Sequence, residues 1–133
     1  MLPVTAQTIR LFLHVMAATV WVGGQLTLAG LVPGLRKLSP EAPRAVGRRF
    51  AMIAWPAFGV LVATGIWNIL ALRPTLTGAY GVTLMLKITV VALSGISAWA
   101  HGVSKSQVGL AVWGALAGLS AVVAVFLGVL LAG

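Results

Sequence analysis

Cysteine is absent from this sequence, and acidic residues are almost absent. Without cysteine, the chain cannot form a disulfide, a thiolate site or a cysteine-ligated iron–sulfur cluster. Charged residues of either sign make up only 8% of the 133 residues, whereas 60% are hydrophobic. A soluble domain of this length has no interior large enough to hide so much apolar surface. The composition therefore indicates that the lipid bilayer is the solvent.

Four stretches are apolar over the roughly 20 residues that a membrane-spanning helix requires. The pattern predicts helices at about residues 8–32, 48–72, 81–103 and 108–132. Pro33-Gly34 and Arg73-Pro74 supply turn chemistry after the first and second helices. Short connections between long helices favour antiparallel neighbours. We therefore expect an all-α integral membrane protein, an antiparallel four-helix bundle formed as a single domain over residues 1–133, without room for a soluble catalytic domain.

The basic residues are distributed unevenly between the two sides of this predicted bundle. Six lie in the first and third loops, against Arg10 and Arg73 on the other side: Arg36, Lys37, Arg44, Arg48, Arg49 and Lys105. Because cytoplasmic loops carry an excess of Lys and Arg, loops 1 and 3 are predicted to be cytoplasmic and both termini to face outward. The net charge of +8 then reflects solvated loops that contact anionic lipid headgroups, and no nucleic-acid partner is expected.

The fourth predicted helix carries small residues at intervals of four, which permit close helix approach in lipid: Gly114 and Gly118, then Ala124, Gly128 and Ala132. Its only polar groups are Ser120 and the indole of Trp113. We therefore expect a helix with a packing role, which would also provide a face for a homo-dimer or for a larger membrane complex.

A few polar residues lie within the predicted helices, where lipid makes them costly and where they suggest function by default: His14, Gln25, Asn68, Lys87 and His101. His14 and Lys87 each lie six residues into their predicted helices, roughly 9 Å along the axis. Asn68, near the outer end of the second helix, approaches the same level. Arg10 lies one turn before His14, and Trp21 and Gln25 continue the His14 face. These positions predict an outer-leaflet pocket.

Each of these residues also has a structural interpretation. Lys87 is able to extend its amine to the outer interface, and His14 is able to act as a packing residue bonded to a neighbouring helix. His101, at the cytoplasmic end, is interpreted as an interfacial residue. The only acidic residue, Glu41, lies in the cytoplasmic loop, so Lys87 must be neutral, reach water or pair with an external anion. A site with Arg10, His14 and Lys87 suits an anionic ligand, such as a porphyrin carboxylate or a lipid phosphate.

Several short pieces of sequence, taken in order, match a known pattern. They are His14 followed by Trp21-Val-Gly23-Gly24, then Arg48-Arg49-Phe50, Ala63-Thr64-Gly65, Ala79-Tyr80-Gly81 and Leu86-Lys87. The pattern runs through the first three segments and resembles the copper resistance protein D (CopD) family. That resemblance implies a bacterial inner-membrane protein involved in copper uptake or tolerance. Cu(I) prefers thiolate and thioether ligands, however, and this chain has no cysteine and only dispersed methionines.

A histidine in the first helix and a lysine in the third are also similar to the HemJ-type membrane protoporphyrinogen oxidase family. This second resemblance implies a b-type haem or porphyrin site, with His14 as an axial ligand and Lys87 as a second ligand or a propionate partner. The sequence therefore predicts, first, a CopD-like protein of copper homeostasis. The alternatives are a haem-binding protein and a structural subunit of a larger complex.

The same ligand-binding residues serve the first two hypotheses: His14, Lys87, Asn68, Trp21 and Arg10. His14 is the predicted metal ligand, and the predicted cofactor is either copper or haem b. No catalytic residue is assigned, and a non-enzymatic role is favoured.

Overall fold

The computed structural model describes all residues from Met1 to Gly133 and contains helices without strands. The chain divides into two compact units, Met1–Leu72 and Arg73–Gly133. The all-helical prediction is thus confirmed. The assembly of four helices into one bundle stays a prediction.

The first unit begins with a nearly unbroken helical rod. It consists of α1 (Ala6–Ala18), a π-helical segment (Thr19–Gly23) and α2 (Gly24–Leu38). Thr5 and Thr8 start the rod with a capping box, in which each side-chain oxygen accepts from the backbone N–H of the other residue. The second rod of the unit is α3 (Ala42–Leu72).

The helix ends in this unit differ from the prediction. Pro33-Gly34 was expected to end the first helix near residue 32, but α2 continues to Leu38 with Pro33 inside it. The next helix begins at Ala42 rather than near residue 48, so the connection is only residues 39–41. A proline inside a helix removes one backbone hydrogen bond, a loss that long apolar helices tolerate. Pro56 inside α3 is a second example.

The two rods of the first unit run antiparallel, because residues early in the first rod meet residues late in the second. Arg10 bonds to Asn68 and His14 to Thr64. Further along, the Trp21 ring packs against Phe58, with ring centroids 4.4 Å apart. Gly24 faces the Phe50 ring so closely that a Cβ there would overlap it. The unit is therefore a helical hairpin whose two polar contacts lie at the end away from the connecting turn.

The second unit is a hairpin of α4 (Gly78–Val103) and α5 (Gln107–Ala132). The first of these helices begins three residues and the second one residue earlier than predicted, and both end where predicted. Ser94 Oγ donates to the Ala117 carbonyl oxygen at 2.9 Å, and His101 Nδ1 lies 2.8 Å from the Leu110 carbonyl oxygen. These pairings again make the two helices antiparallel.

The buried face of α5 consists entirely of small residues: Ala117, Ser120, Ala121 and Ala124. Gly114 and Gly128 flank this face, and each contacts a side chain of α4. Gly118, which the interval of four includes, meets no atom of another helix within 4 Å. The residues of α5 that pack against α4 are therefore spaced alternately three and four apart, as helices that pack at a small angle require. The predicted constant interval of four does not describe this face.

Four helical stretches are long and apolar enough to cross a membrane: Ala6–Leu38, Ala42–Leu72, Gly78–Val103 and Gln107–Ala132. Large apolar side chains such as Phe12, Met52, Leu119 and Phe126 are exposed along them. By length, composition and surface, these stretches suit a multi-pass membrane protein.

Candidate functional site

Arg10 lies inside the first hairpin with only 6% of its surface exposed. Its Nε donates a hydrogen bond to Oδ1 of Asn68 on α3. The guanidinium carbon lies 5.9 Å from the centre of the Trp67 ring, within the range of a cation–π interaction. Asn68 and Trp67 are neighbours in sequence, so one turn of α3 holds the arginine from two directions.

The charge of Arg10 has no acidic partner in this unit. The only acidic residue, Glu41, lies in the connecting turn, roughly 40 Å away along the rod at 1.5 Å per residue. An arginine side chain has five N–H donors, one on Nε and four on the terminal nitrogens. Only the Nε donor has a hydrogen-bond acceptor within the chain. The guanidinium therefore has no acidic partner, and the N–H groups of its terminal nitrogens have no acceptor within the chain.

His14 lies one turn further along α1, and its Nδ1 is 2.8 Å from Oγ1 of Thr64. Thr64 is itself buried, and its Oγ1 lies 2.7 Å from the carbonyl oxygen of Val60 in the preceding turn of α3. A carbonyl oxygen only accepts, so the single hydroxyl proton of Thr64 is donated to Val60. Thr64 Oγ1 then accepts from His14, which places a proton on Nδ1.

Thr64 is the contact that the sequence interpretation missed. It was quoted only as the middle of Ala63-Thr64-Gly65, although a hydroxyl inside an apolar helix is itself a signal for a polar partner. Gly65 beside it also faces the imidazole, since a Cβ there would lie 3.7 Å from His14 Cε1, an ordinary contact distance. The outcome agrees with the interpretation of His14 as a residue bonded to a neighbouring helix, and the contact orients the imidazole ring.

Trp21 and Asn68 have different surroundings from those predicted. Trp21 lies in the π-helical segment, 3% exposed, and packs against Trp55 and Phe58 with ring centroids 5.3 and 4.4 Å apart. It lies two turns beyond His14, in an aromatic cluster. Asn68 lies against Arg10 rather than at the level of His14.

Lys87 belongs to the second unit, where it is half-buried on α4. Its Nζ lies 3.0 Å from the position that a Cβ on Gly128 would occupy. The absence of a side chain at Gly128 of α5 therefore leaves room for the amine. The predicted convergence of Lys87 with His14 stays a prediction.

His101, the second histidine, lies at the other end of α4 and is exposed. Its Nδ1 donates to the Leu110 carbonyl oxygen at 2.8 Å, and Gly114 provides the space for its ring. Two buried polar atoms have no hydrogen-bond partner, Nε2 of Gln25 and Oγ of Ser97.

Nowhere do three His, Cys, Asp or Glu side chains form a group that could hold a metal ion. Comparison with protein-family models, curated proteins and solved structures finds no match to this chain.

Proposed function

We propose that this chain is a multi-pass membrane protein that binds haem b or a related porphyrin at His14. One observation carries the proposal: the Thr64 contact fixes the orientation of the His14 imidazole within an apolar hairpin, one turn from Arg10. Haem-binding proteins use an imidazole of this kind as an axial ligand. The second partner on Nδ1, which orients the ring, is typical of metal-ligating histidines. When bound, the cofactor would supply a metal centre for electron or group transfer.

Spectroscopy on the purified protein tests this proposal. Detergent-purified protein, isolated or reconstituted with equimolar haem, is expected to show a Soret band that shifts on reduction. Metal analysis on the same sample is expected to find iron. If the protein binds copper and leaves haem in solution, or binds neither, the proposal is wrong.

Copper homeostasis is the second candidate function, and the resemblance to the copper resistance protein D family favours it. Three residues of the matching pieces, Trp21, Gly24 and Phe50, form helix contacts in the first hairpin. They therefore support a shared helical framework more directly than a copper site. A role in copper handling would be tested by deletion of the gene followed by growth on graded copper. A copper phenotype without a Soret band would favour this candidate.

The proposed membrane is the bacterial inner membrane, with both termini outside and the connections 39–41 and 104–106 in the cytoplasm. The basic residues on both sides of the first connection support this orientation. Single cysteines at Pro40 and Thr77, both exposed, test it with a membrane-impermeant thiol reagent. Cysteine at position 77 is expected to react in intact cells, and cysteine at position 40 only after permeabilisation. The reverse pattern would overturn the orientation.

We further propose that Lys87 and His14 affect the binding of the same ligand. A double-mutant cycle with His14→Ala and Lys87→Gln is expected to give a coupling of about 0.5 to 3 kcal/mol in ligand retention. Additive effects would instead assign Lys87 to the membrane interface. Lys87→Arg distinguishes an ion pair with an anionic group from ligation of a metal. Arginine keeps the positive charge that an ion pair needs, but it cannot ligate a metal.

A further inference from the structure

We infer that Arg10, held by Asn68 against the Trp67 ring, is the subsite for a carboxylate group of the ligand. The inference rests on the proposed function, since it names the part of a porphyrin that this end of the hairpin would recognise. It assigns Arg10 a direct contact with the ligand, and it makes Asn68 a positioning residue that acts through Arg10.

Charge balance is the first argument. A guanidinium stays protonated in proteins, and removing it from water without a counter-ion is strongly unfavourable. Arg10 is almost fully buried, and neither of its two partners carries a charge. The only acidic side chain, Glu41, lies in the connecting turn, so an anion that pairs with Arg10 would come from outside the protein.

The free donors of Arg10 provide the second argument. Asn68 accepts the hydrogen bond from Nε, so the four N–H groups of the terminal nitrogens remain to bind a ligand. The chain contains only two enclosed polar side-chain atoms without partners, Gln25 Nε2 and Ser97 Oγ. The terminal nitrogens of Arg10 are therefore accessible from outside the hairpin. Their planar pair matches the two oxygens of a carboxylate in a bidentate contact.

Position along the helix is the third argument. Arg10 and His14 are one turn apart on the side of α1 that faces α3, about 6 Å along the axis. A rigid ligand with its metal at the centre and carboxylates at its edge would reach both residues at once. A phospholipid phosphate would satisfy Arg10 alone and would make no use of His14.

Metal-free protoporphyrin IX and its dimethyl ester separate this contact from metal ligation. The two molecules differ only in their free carboxylates, and neither offers a metal to His14. Binding is measured in non-ionic detergent by quenching of tryptophan fluorescence. The wild-type chain is expected to bind the free acid about tenfold more tightly than the ester, as a charge-assisted pair of hydrogen bonds implies. Arg10→Gln should weaken the binding of the free acid and leave the binding of the ester unchanged, so that the two affinities come within about twofold of each other.

Two variants sharpen the result. Arg10→Lys is expected to keep part of the preference, because the charge remains while the planar pair of donors is lost. Arg36→Gln is the matched control, since Arg36 is exposed near the connecting turn, and its acid-to-ester ratio should equal that of the wild type. If Arg10→Gln fails to fold, the wild-type ratio and the Arg10→Lys ratio still decide the question.

Equal wild-type affinities for acid and ester would overturn the carboxylate subsite, and so would a preference that survives Arg10→Gln. Displacement of the free acid by phosphatidylglycerol but not by phosphatidylcholine, at equal lipid concentrations, would assign Arg10 to anionic lipid headgroups and would also overturn it. Failure of the proposed function has a different signature, in which neither the acid nor the ester binds.

Discussion

The two hairpins are built from the same number of long helices, but their helices meet in different ways. In the first hairpin, side chains meet side chains: Arg10 with Asn68, His14 with Thr64, and Trp21 with two aromatic rings. In the second hairpin, side chains reach the opposite backbone, as Ser94 and His101 do. The difference follows from residue size, since α5 presents only small residues to α4.

Small residues bring two helices close enough for a serine to bond a facing carbonyl, and they leave no volume between the backbones for another molecule. Long polar and aromatic side chains hold the helices of the first hairpin further apart and place ionisable groups between them. The comparison shows that small residues pack the second hairpin, and it supports the proposal that the ligand site lies in the first hairpin.

Enlarging a small residue should affect the second hairpin most strongly. Ala121 is 1% exposed on the packed face of α5, so Ala121→Leu is expected to lower the free energy of unfolding by about 3 kcal/mol through overpacking. Unfolding is followed in detergent micelles by circular dichroism during titration with a denaturing detergent. Val122→Leu at the adjacent exposed position should change it by less than about 0.5 kcal/mol. Equal effects at the two positions would contradict a packed scaffold.

Two adjacent glycines test the one close approach in the first hairpin. Gly24→Ala places a methyl group against the Phe50 ring, whereas Gly23→Ala meets nothing within 4 Å. Alanine favours the helix equally at both positions, so the difference reports the contact alone. Gly24→Ala is expected to be less stable than Gly23→Ala by about 2 kcal/mol. The added substitution Phe50→Leu should recover most of that loss, and lack of recovery would argue against the contact.

The Thr64 hydroxyl tests the polar contact that orients His14. Thr64→Val keeps the shape of the side chain but removes the acceptor for Nδ1, and it is expected to cost about 1 kcal/mol of stability. Haem affinity should fall as well, by about tenfold or more, as for other groups that orient a metal ligand. Thr64→Ser retains the hydroxyl and serves as the control. If valine and serine variants bound haem equally, the orientation of His14 by Thr64 would be unimportant.

The sequence was sufficient to predict the number of long helices, because length and hydropathy alone determine which stretches suit a membrane. It was not sufficient for the helix ends around Pro33, since turn rules derived from soluble proteins overestimate how often proline stops an apolar helix. Nor was it sufficient to predict the π-helical segment Thr19–Gly23, after which Gly24 is the residue that approaches the Phe50 ring of α3.

The candidate site was predicted in part. Arg10, His14 and Asn68 do lie at one end of the first hairpin, as polar residues in an apolar segment indicated. Their pairing depends on how far the two rods slide past each other, which the connection of residues 39–41 determines. The sequence interpretation estimated the depth of Asn68 from the end of its own helix, which placed it near the level of His14, and it gave Thr64 no role.

The central claim, that the first hairpin carries the ligand site, is tested most directly by comparing the two histidines. Each donates its Nδ1 proton across its own hairpin, His14 to Thr64 and His101 to the Leu110 carbonyl oxygen, so His14→Ala and His101→Ala are matched changes. Haem retention after size-exclusion chromatography is measured from the ratio of Soret to protein absorbance. The account predicts that His14→Ala loses nearly all bound haem while His101→Ala retains the wild-type amount. Equal loss in both variants, or loss in His101→Ala alone, would contradict a ligand site in the first hairpin.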